Sequence, residues 1–344
     1  MKAAYLSDGA IHVGEVADPT PSEGTALVRV HSCGLCASDA HWLQLGPELV
    51  ETSRRYGGPY AGVDLGQRIV MGHEFVGEIV DYGPGGRRPL PLGTRVTSIP
   101  VVRRPDRSGV IGQAEDLPGG FGEYLLVDET FMQAVPDGVP DEHAAMVEPL
   151  AVGLEHARSG HPTADDTVLV VGCGAIGLGV IVGLKLKGIG PVIASDFDRA
   201  RRELAIRMGA DAAIDPREQS PYEAVPGVSA GAPTLIYECV GAPGMLSQLM
   251  RAAGFGTRVV IGGFCLEPEQ IYVPNGQTKR LTLHFAAGEE PQDMDLALRT
   301  IAEGKIDIDA WIGARIGLGE VGAALTAMRD PAAPVRTVVD PRRT

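Results

Sequence analysis

Two hydrophobic rhythms divide the chain. Up to about residue 150, apolar residues come in short alternating runs broken by Gly and Pro, as in "ALVRVHSCG", "GHEFVGEIVDYG", "GTRVTSIPVV" and "GGFGEYLLVDE". Period-two alternation between turn residues predicts strands with one buried face. No long helical period appears before "PDEHAAMVEPLAVGLEHARSG", where Ala145, Met146, Val147, Leu150 and Leu154 recur roughly three to four apart and predict a helix. After Asp166 the rhythm changes. "TVLVVGCGAIGLGVIVGLKLKGIG" reads as strand, glycine turn and helix, and "PVIASDFD", "RARRELAIRMGA", "TLIYECVGAPG", "GTRVVIGGF" and "LTLHFAAG" continue the alternation. Strands alternating with helices predict parallel βαβ units. From about Glu289 a helix, "MDLALRTIAEGKI", leads to a last strand in "PVRTVVDP". The pattern is a two-domain α/β chain with one all-β half and one doubly wound half.

Composition narrows the function. A chain of 344 residues exceeds one comfortable core, which agrees with two domains. A net charge of −14 argues against a nucleic-acid partner, which requires a basic surface. The uncharged stretch Thr167–Leu184 approaches membrane-span length, but its five glycines and β-branched start suit a buried strand-turn-helix, so no membrane association is expected. The N-terminus shows no secretory signal. Five cysteines, with only Cys33 and Cys36 close together, form no disulfide framework and place the chain in a reducing compartment, the cytoplasm.

"GCGAIG" sets Gly172, Gly174 and Gly177 around Cys173, Ala175 and Ile176, directly after an apolar strand and at the start of a helix. Glycines there allow a tight turn and close approach of a pyrophosphate, whose charge the helix N-terminus favours. Asp196, at the end of the next strand, is placed to accept hydrogen bonds from adenosine ribose hydroxyls and to repel a 2′-phosphate. This favours NAD over NADP, although Arg199, Arg201 and Arg202 lie just beyond.

The stretch "HSCGLCASDAH", residues 31–41, admits three readings: a redox Cys-x-x-Cys, half a structural zinc knuckle, or a catalytic metal site. The redox reading lacks a βαβ context, and the knuckle lacks a second Cys pair. Taken with "GHEFVG" and "VEPLAVG", the chain offers Cys36, His73, Glu74 and Glu148. Mixed sulfur, nitrogen and oxygen donors with a position left open suit catalytic zinc.

These motifs together, with "GTRV", "EPLAVGLEHA" and the terminal "VRTVV", resemble the zinc-containing medium-chain alcohol dehydrogenases over almost the full length. "EPLAVG" is similar to the sorbitol and threonine dehydrogenase branch. The resemblance implies a GroES-like β-barrel catalytic domain over residues 1–150, completed by 289–344, and a Rossmann NAD-binding domain over 151–288. It makes Cys36 and His73 direct zinc ligands, with Glu74 and Glu148 competing for the remaining place. Asp39 would support His73 by a hydrogen bond, Ser38 would touch the alcohol oxygen, and His41 would carry its proton outward. Arg336 would contact the cofactor pyrophosphate. Relatives in this family are dimers or tetramers.

Two departures matter. The stretch after "GTRV" lacks the four cysteines that hold a structural zinc in many relatives, so one zinc per subunit is expected. The connection from residue 43 to 71 is long; there Arg54, Arg55, Tyr56 and Tyr60 are candidates for reading a polar or acidic substrate. The function expected is reversible, zinc- and NAD-dependent oxidation of a secondary alcohol or polyol to a ketone. The alternatives are a zinc-free enone or quinone reductase on the same scaffold and a non-catalytic dinucleotide-binding protein.

Overall fold

The first alternating runs become strands in a computed structural model that describes residues 1–104, 108–328, 330 and 333–343. A hairpin of β1 (Lys2–Ser7) and β2 (Ala10–Glu15) precedes the ten-residue β3 (Thr25–Gly34). β3 lies antiparallel to β4 (Glu74–Tyr82), and β4 to β5 (Arg95–Ser98). The short hairpin β6 (Val101–Arg103) and β7 (Ser108–Val110) leads to β8 (Tyr124–Asp128), which also pairs with β3, and to β9 (Met132–Ala134) on β5. Ala26, Val28 and Val30 of β3 are buried in one core with Phe75, Ile79, Phe121 and Leu125. Each large apolar side chain buried in this way contributes about 1.5–3 kcal/mol.

Between β3 and β4 the structure corrects the sequence pattern. In place of an irregular connection stands α1 (Ala37–Tyr56), a 20-residue helix. Cys36 is its N-cap, and the Asp39 carboxylate reaches back to the Cys36 N–H at 3.0 Å, satisfying a donor that a helix start leaves open. Gly57, left-handed at φ 73°, closes it. Gly46 and Pro47 hide the helix from a periodicity reading, since both are poor helix formers. Packing sustains it: Ala40, Trp42, Leu49 and Val50 are buried.

The helix expected near residue 140 is two, α2 (Asp141–Ala144) and α3 (Val147–Ser159). Asp141, in the first turn of α2, faces His31 at 3.3 Å and Arg95 at 2.9 Å. Its carboxyl is held at about 2 against an ordinary 3.8, chiefly by the His31 hydrogen bond, with burial opposing and Arg95 adding to the shift. A depressed carboxyl contributes stability that is complete above its unfolded value and lost as pH falls through the folded one. Asp141→Asn is therefore expected to lower stability at neutral pH and to flatten its decline from about pH 5 to pH 2, read as urea midpoints against pH. An unchanged decline would remove Asp141 from the acid response.

The second half is parallel throughout. β10 (Val168–Val171), α4 (Ala175–Leu186), β11 (Val192–Ser195), α5 (Arg199–Arg207) and β12 (Ala212–Ile214) come first. β13 (Leu235–Glu238), α6 (Met245–Ala252), β14 (Arg258–Ile261), α7 (Val273–Lys279) and β15 (Thr282–Phe285) follow. The strand order is β12-β11-β10-β13-β14-β15, a doubly wound parallel sheet in which the order of strand addition reverses between β10 and β13. β10, β11 and β13 are buried at every position, as strands covered on both faces must be. The glycines of α4 serve packing: a Cβ on Gly179 would come within 2.9 Å of Gly153 in α3, so the two helices touch backbone to backbone.

The tail adds α8 (Pro291–Ala302), β16 (Ile312–Ile316), α9 (Val321–Ala327) and β17 (Arg336–Val339). β17 pairs with β16 and, antiparallel, with the end of β3, so the chain's last strand completes the first sheet. One compact unit is residues 1–148 with 294–344, the other 149–293. The breaks fall at 148/149 and 293/294, where the sequence pattern puts them at 150/151 and 288/289.

Candidate functional site

The end of β3, the start of α1 and the start of β4 deliver the metal-binding candidates of the first unit. Sheet register sets Gly34 opposite Glu74, and the turn after Gly34 places Cys36 at the head of α1. The donor atoms of Cys36, His73 and Glu74 all lie within 4.8 Å of one another. Glu148 is buried but falls outside this group, so Glu74 completes it in this structure. Ser38 donates hydrogen bonds to the Cys36 sulfur from its hydroxyl and its N–H. His41 is half-buried on α1, and burial pushes its imidazole below the usual range, leaving it neutral and able to accept a proton.

Asp39 does not make the expected hydrogen bond to His73. Its Oδ2 accepts the Cys36 N–H and its Oδ1 accepts the Gly72 N–H at 3.4 Å, leaving 3.8 Å to His73 Nδ1. The Cys36 and Gly72 N–H groups hold the carboxylate at ion-pair distance from His73, beyond hydrogen-bond reach. Cys33, the other half of Cys-x-x-Cys, is fully buried beside Gly72 and Gly120, and burial pushes its thiol well up.

The donor set fits a divalent cation. Burial and the nearby Asp39 both push the Cys36 thiol up, outweighing the opposing Arg336 charge and the two Ser38 hydrogen bonds. A cation at the convergence point would supply the missing positive charge and take the thiol as thiolate. Nitrogen, sulfur and carboxylate donors in this combination suit zinc. A second group, Glu142, His143 and Asp309, also converges, but Arg315 already ion-pairs with Glu142 and Asp309 there. It ties β16 to α2.

In the second unit the glycine turn follows β10. Gly172 adopts φ +91°, and a Cβ there would strike Val240 at 2.7 Å. A Cβ on Gly177 would meet Gly172 O at 1.9 Å, while Gly174, the N-cap of α4, has nothing within 4 Å. The turn is thus closed on the protein side and open where Ala175 and Ile176 begin the helix, which is the cradle a pyrophosphate requires. Asp196 accepts the Cys173 N–H and the Asp198 N–H, both at 2.8 Å, and so is locked beside this cradle. Arg202 is committed to Asp196 O, Phe197 O and Asp215, and Arg199 to Glu203. Arg201 keeps a buried Nε without a hydrogen-bond partner among the described residues.

The two units match two families. Residues 22–137 match the alcohol dehydrogenase GroES-like domain and residues 175–303 the zinc-binding dehydrogenase family. An (R,R)-butanediol dehydrogenase of Neisseria gonorrhoeae is 30% identical over 337 residues, covering 93% of each chain. This chain belongs to the zinc-binding alcohol dehydrogenases. Solved structures agree with that membership. A zinc-binding dehydrogenase of Sinorhizobium meliloti bound to NADP superposes with a TM-score of 0.82 at 29% identity, over 99% of both chains. An Escherichia coli alcohol dehydrogenase complexed with NADH gives 0.79 at 26%, over 99% of both chains. The β-rich unit of this dehydrogenase is its GroES-like domain and the parallel unit its Rossmann domain.

The structure also places Arg336 and the four candidates of the long connection. Arg336 is 4% exposed and ion-pairs with Glu74 inside the ligand group. Gly34 makes this possible: a Cβ there would lie 2.2 Å from Glu74 Oε2 and 3.1 Å from Arg336 Nη2. Of the candidates in the long connection, Arg54 donates to Ala61 O, Arg55 lies over the Tyr56 ring, and all three of Arg54, Arg55 and Tyr56 are exposed. Only Tyr60 turns inward, against Trp42.

One residue escaped the motif reading. Glu238, 3% exposed at the end of β13, accepts the Val240 and Gly241 N–H at 2.7 and 2.8 Å. Its main-chain O accepts the N–H of Gly262 and Gly263. It therefore clamps the loops after β13 and β14 together, and Val240 packs on Gly172 of the cofactor turn. The acidic end of "TLIYE", an otherwise apolar strand, was the available signal.

Proposed function

We propose that this protein is a zinc-dependent dehydrogenase that transfers hydride reversibly between a secondary alcohol, including diols and polyols, and NAD. The observation that carries the reading is the convergence of Cys36, His73 and Glu74 in a chain that also holds an open glycine cradle with a locked acid beside it. Cys36, His73 and Glu74, with Glu148 in reserve, would hold a zinc ion, which would supply Lewis-acid polarisation of the alcohol oxygen, and a bound nicotinamide would supply the hydride acceptor. Ser38 orients the alcohol hydroxyl and His41 takes its proton outward, a role suited to an imidazole kept neutral by burial. Arg336 balances the Glu74 charge, and its unpartnered Nε leaves a donor for a cofactor phosphate.

The butanediol dehydrogenase relative supports a small secondary alcohol as substrate. A zinc-free reductase has no use for the Cys36, His73 and Glu74 group, and a non-catalytic protein has no use for Ser38 beside it. The solved relatives hold NADP in one case and NADH in the other, and Asp196 beside the glycine cradle supports NAD here. The sequence between β5 and β8 carries no cysteine, which supports one zinc per chain. Among the described residues no helix is long and apolar enough to cross a membrane, and a cytoplasmic location is proposed. The chain is further proposed to form a homodimer or homotetramer, for which β15 offers an open sheet edge with Phe285 exposed.

Initial rates on a panel of secondary alcohols with each nucleotide test the reading. Turnover with NAD at a kcat/KM well above that with NADP is expected. A preference for NADP would overturn the role given to Asp196, and the absence of turnover with either would overturn the function.

A further inference from the structure

Residues 38, 42, 46, 50 and 53 lie on one ridge of α1, since side chains about four apart share a helix face. The ridge starts at Ser38 beside the ligand group, and Trp42, Gly46, Val50 and Ser53 along it are buried. The chain after α1 folds back over this ridge. Gly58 N–H donates to Ser53 O at 2.8 Å, Arg54 Nε donates to Ala61 O at 3.1 Å, and Leu65 packs on Gly46. Tyr60 lands edge-on against Trp42, with ring centroids 4.9 Å apart and planes at 77°. One helical turn therefore separates the Tyr60–Trp42 pair from Ser38. Burial pushes the Tyr60 phenol up and the nearby Cys36 adds to the shift, which agrees with that closeness. The charged groups beside this ridge point elsewhere: Arg54 and Arg55 are exposed and already engaged, and Glu48 and Glu51 of α1 are exposed.

We infer that Tyr60 is a specificity-determining residue that walls the substrate's carbon chain together with Trp42, and that the site selects uncharged, alkyl-bearing secondary alcohols over carboxylated or phosphorylated ones. The inference rests on the alcohol dehydrogenase reading above. An aromatic edge gains contact with C–H surface, whereas a carboxylate placed against it loses its hydration, and the arginines of α1, Arg54 and Arg55, are exposed and turned to other partners.

A matched pair of substrates tests it. 2-Butanol and 3-hydroxybutyrate share the secondary carbinol and differ by a methyl in place of a carboxylate. The protein is expected to prefer 2-butanol by roughly 100-fold or more in kcat/KM. Tyr60→Ala should raise KM for 2-butanol roughly tenfold with kcat little changed, and Tyr60→Phe should restore it, because the ring is kept. Tyr60→Leu serves if the alanine variant fails to fold. A second readout needs no turnover: Trp42 is one of two tryptophans, and 2-butanone should quench its emission more weakly in Tyr60→Ala than in the parent. An unchanged KM and an unchanged substrate ratio in the alanine and leucine variants would overturn the inference and leave the dehydrogenase reading intact. Failure of the parent to oxidise any alcohol would overturn both.

Discussion

Replacing His73 or Cys36 by alanine is expected to lower alcohol turnover by roughly 1,000-fold, because Lewis-acid stabilisation is worth several kcal/mol and each 1.36 kcal/mol is tenfold in rate. The two side chains come from opposite ends of the connection between β3 and β4 and meet only at the ligand group. Neither belongs to the unit that holds Gly172 and Asp196, so NADH affinity, read by fluorescence titration, should stay within about twofold. Loss of turnover with retained NADH binding separates a failed metal site from a failed fold. Variants that kept parental turnover would show that the Cys36, His73 and Glu74 group is not where the reaction occurs.

The second large effect is on stability. Arg336 and Glu74 are 4% and 1% exposed and balance each other's charge across Gly34. Arg336→Ala leaves a carboxylate buried without its cation, a change that typically costs about 3–5 kcal/mol. The loss should be largest in chelated protein, where no metal remains beside Glu74, and smaller with zinc present. Urea unfolding with and without chelator reads both values. A loss below about 1 kcal/mol in the chelated protein would mean that Glu74 is satisfied by something other than Arg336.

That pair shows what the sequence could not reveal. Arg336 and Glu74 belong to strands at opposite ends of the chain, and they meet because β17 and β4 both pair with the end of β3. Gly34, with no side chain, leaves the gap in which they touch. No local pattern encodes a three-strand register. The Rossmann half was far more legible, because parallel strands buried on both faces are written as unbroken apolar runs and the glycine turn follows one of them directly. The ligand candidates were likewise readable from "CGLCASDAH" and "GHEFVG" as residue types. Their geometry was not: the Cys36 and Gly72 N–H groups hold the Asp39 carboxylate 3.8 Å from His73 Nδ1, beyond hydrogen-bond reach. α1 itself was lost to Gly46 and Pro47, which weaken local propensity in a helix that tertiary packing sustains. Once α1 is seen, Tyr60 is separated from Arg54, Arg55 and Tyr56, which the sequence alone grouped together.

Metal content measured alongside turnover tests the central claim most directly. Protein assayed for bound metal and for NAD-dependent oxidation of 2,3-butanediol, before chelation, after it, and after zinc is returned, should hold about one zinc per chain, lose activity in step with the metal, and recover it on readdition. Undiminished turnover in protein stripped of metal would contradict the account.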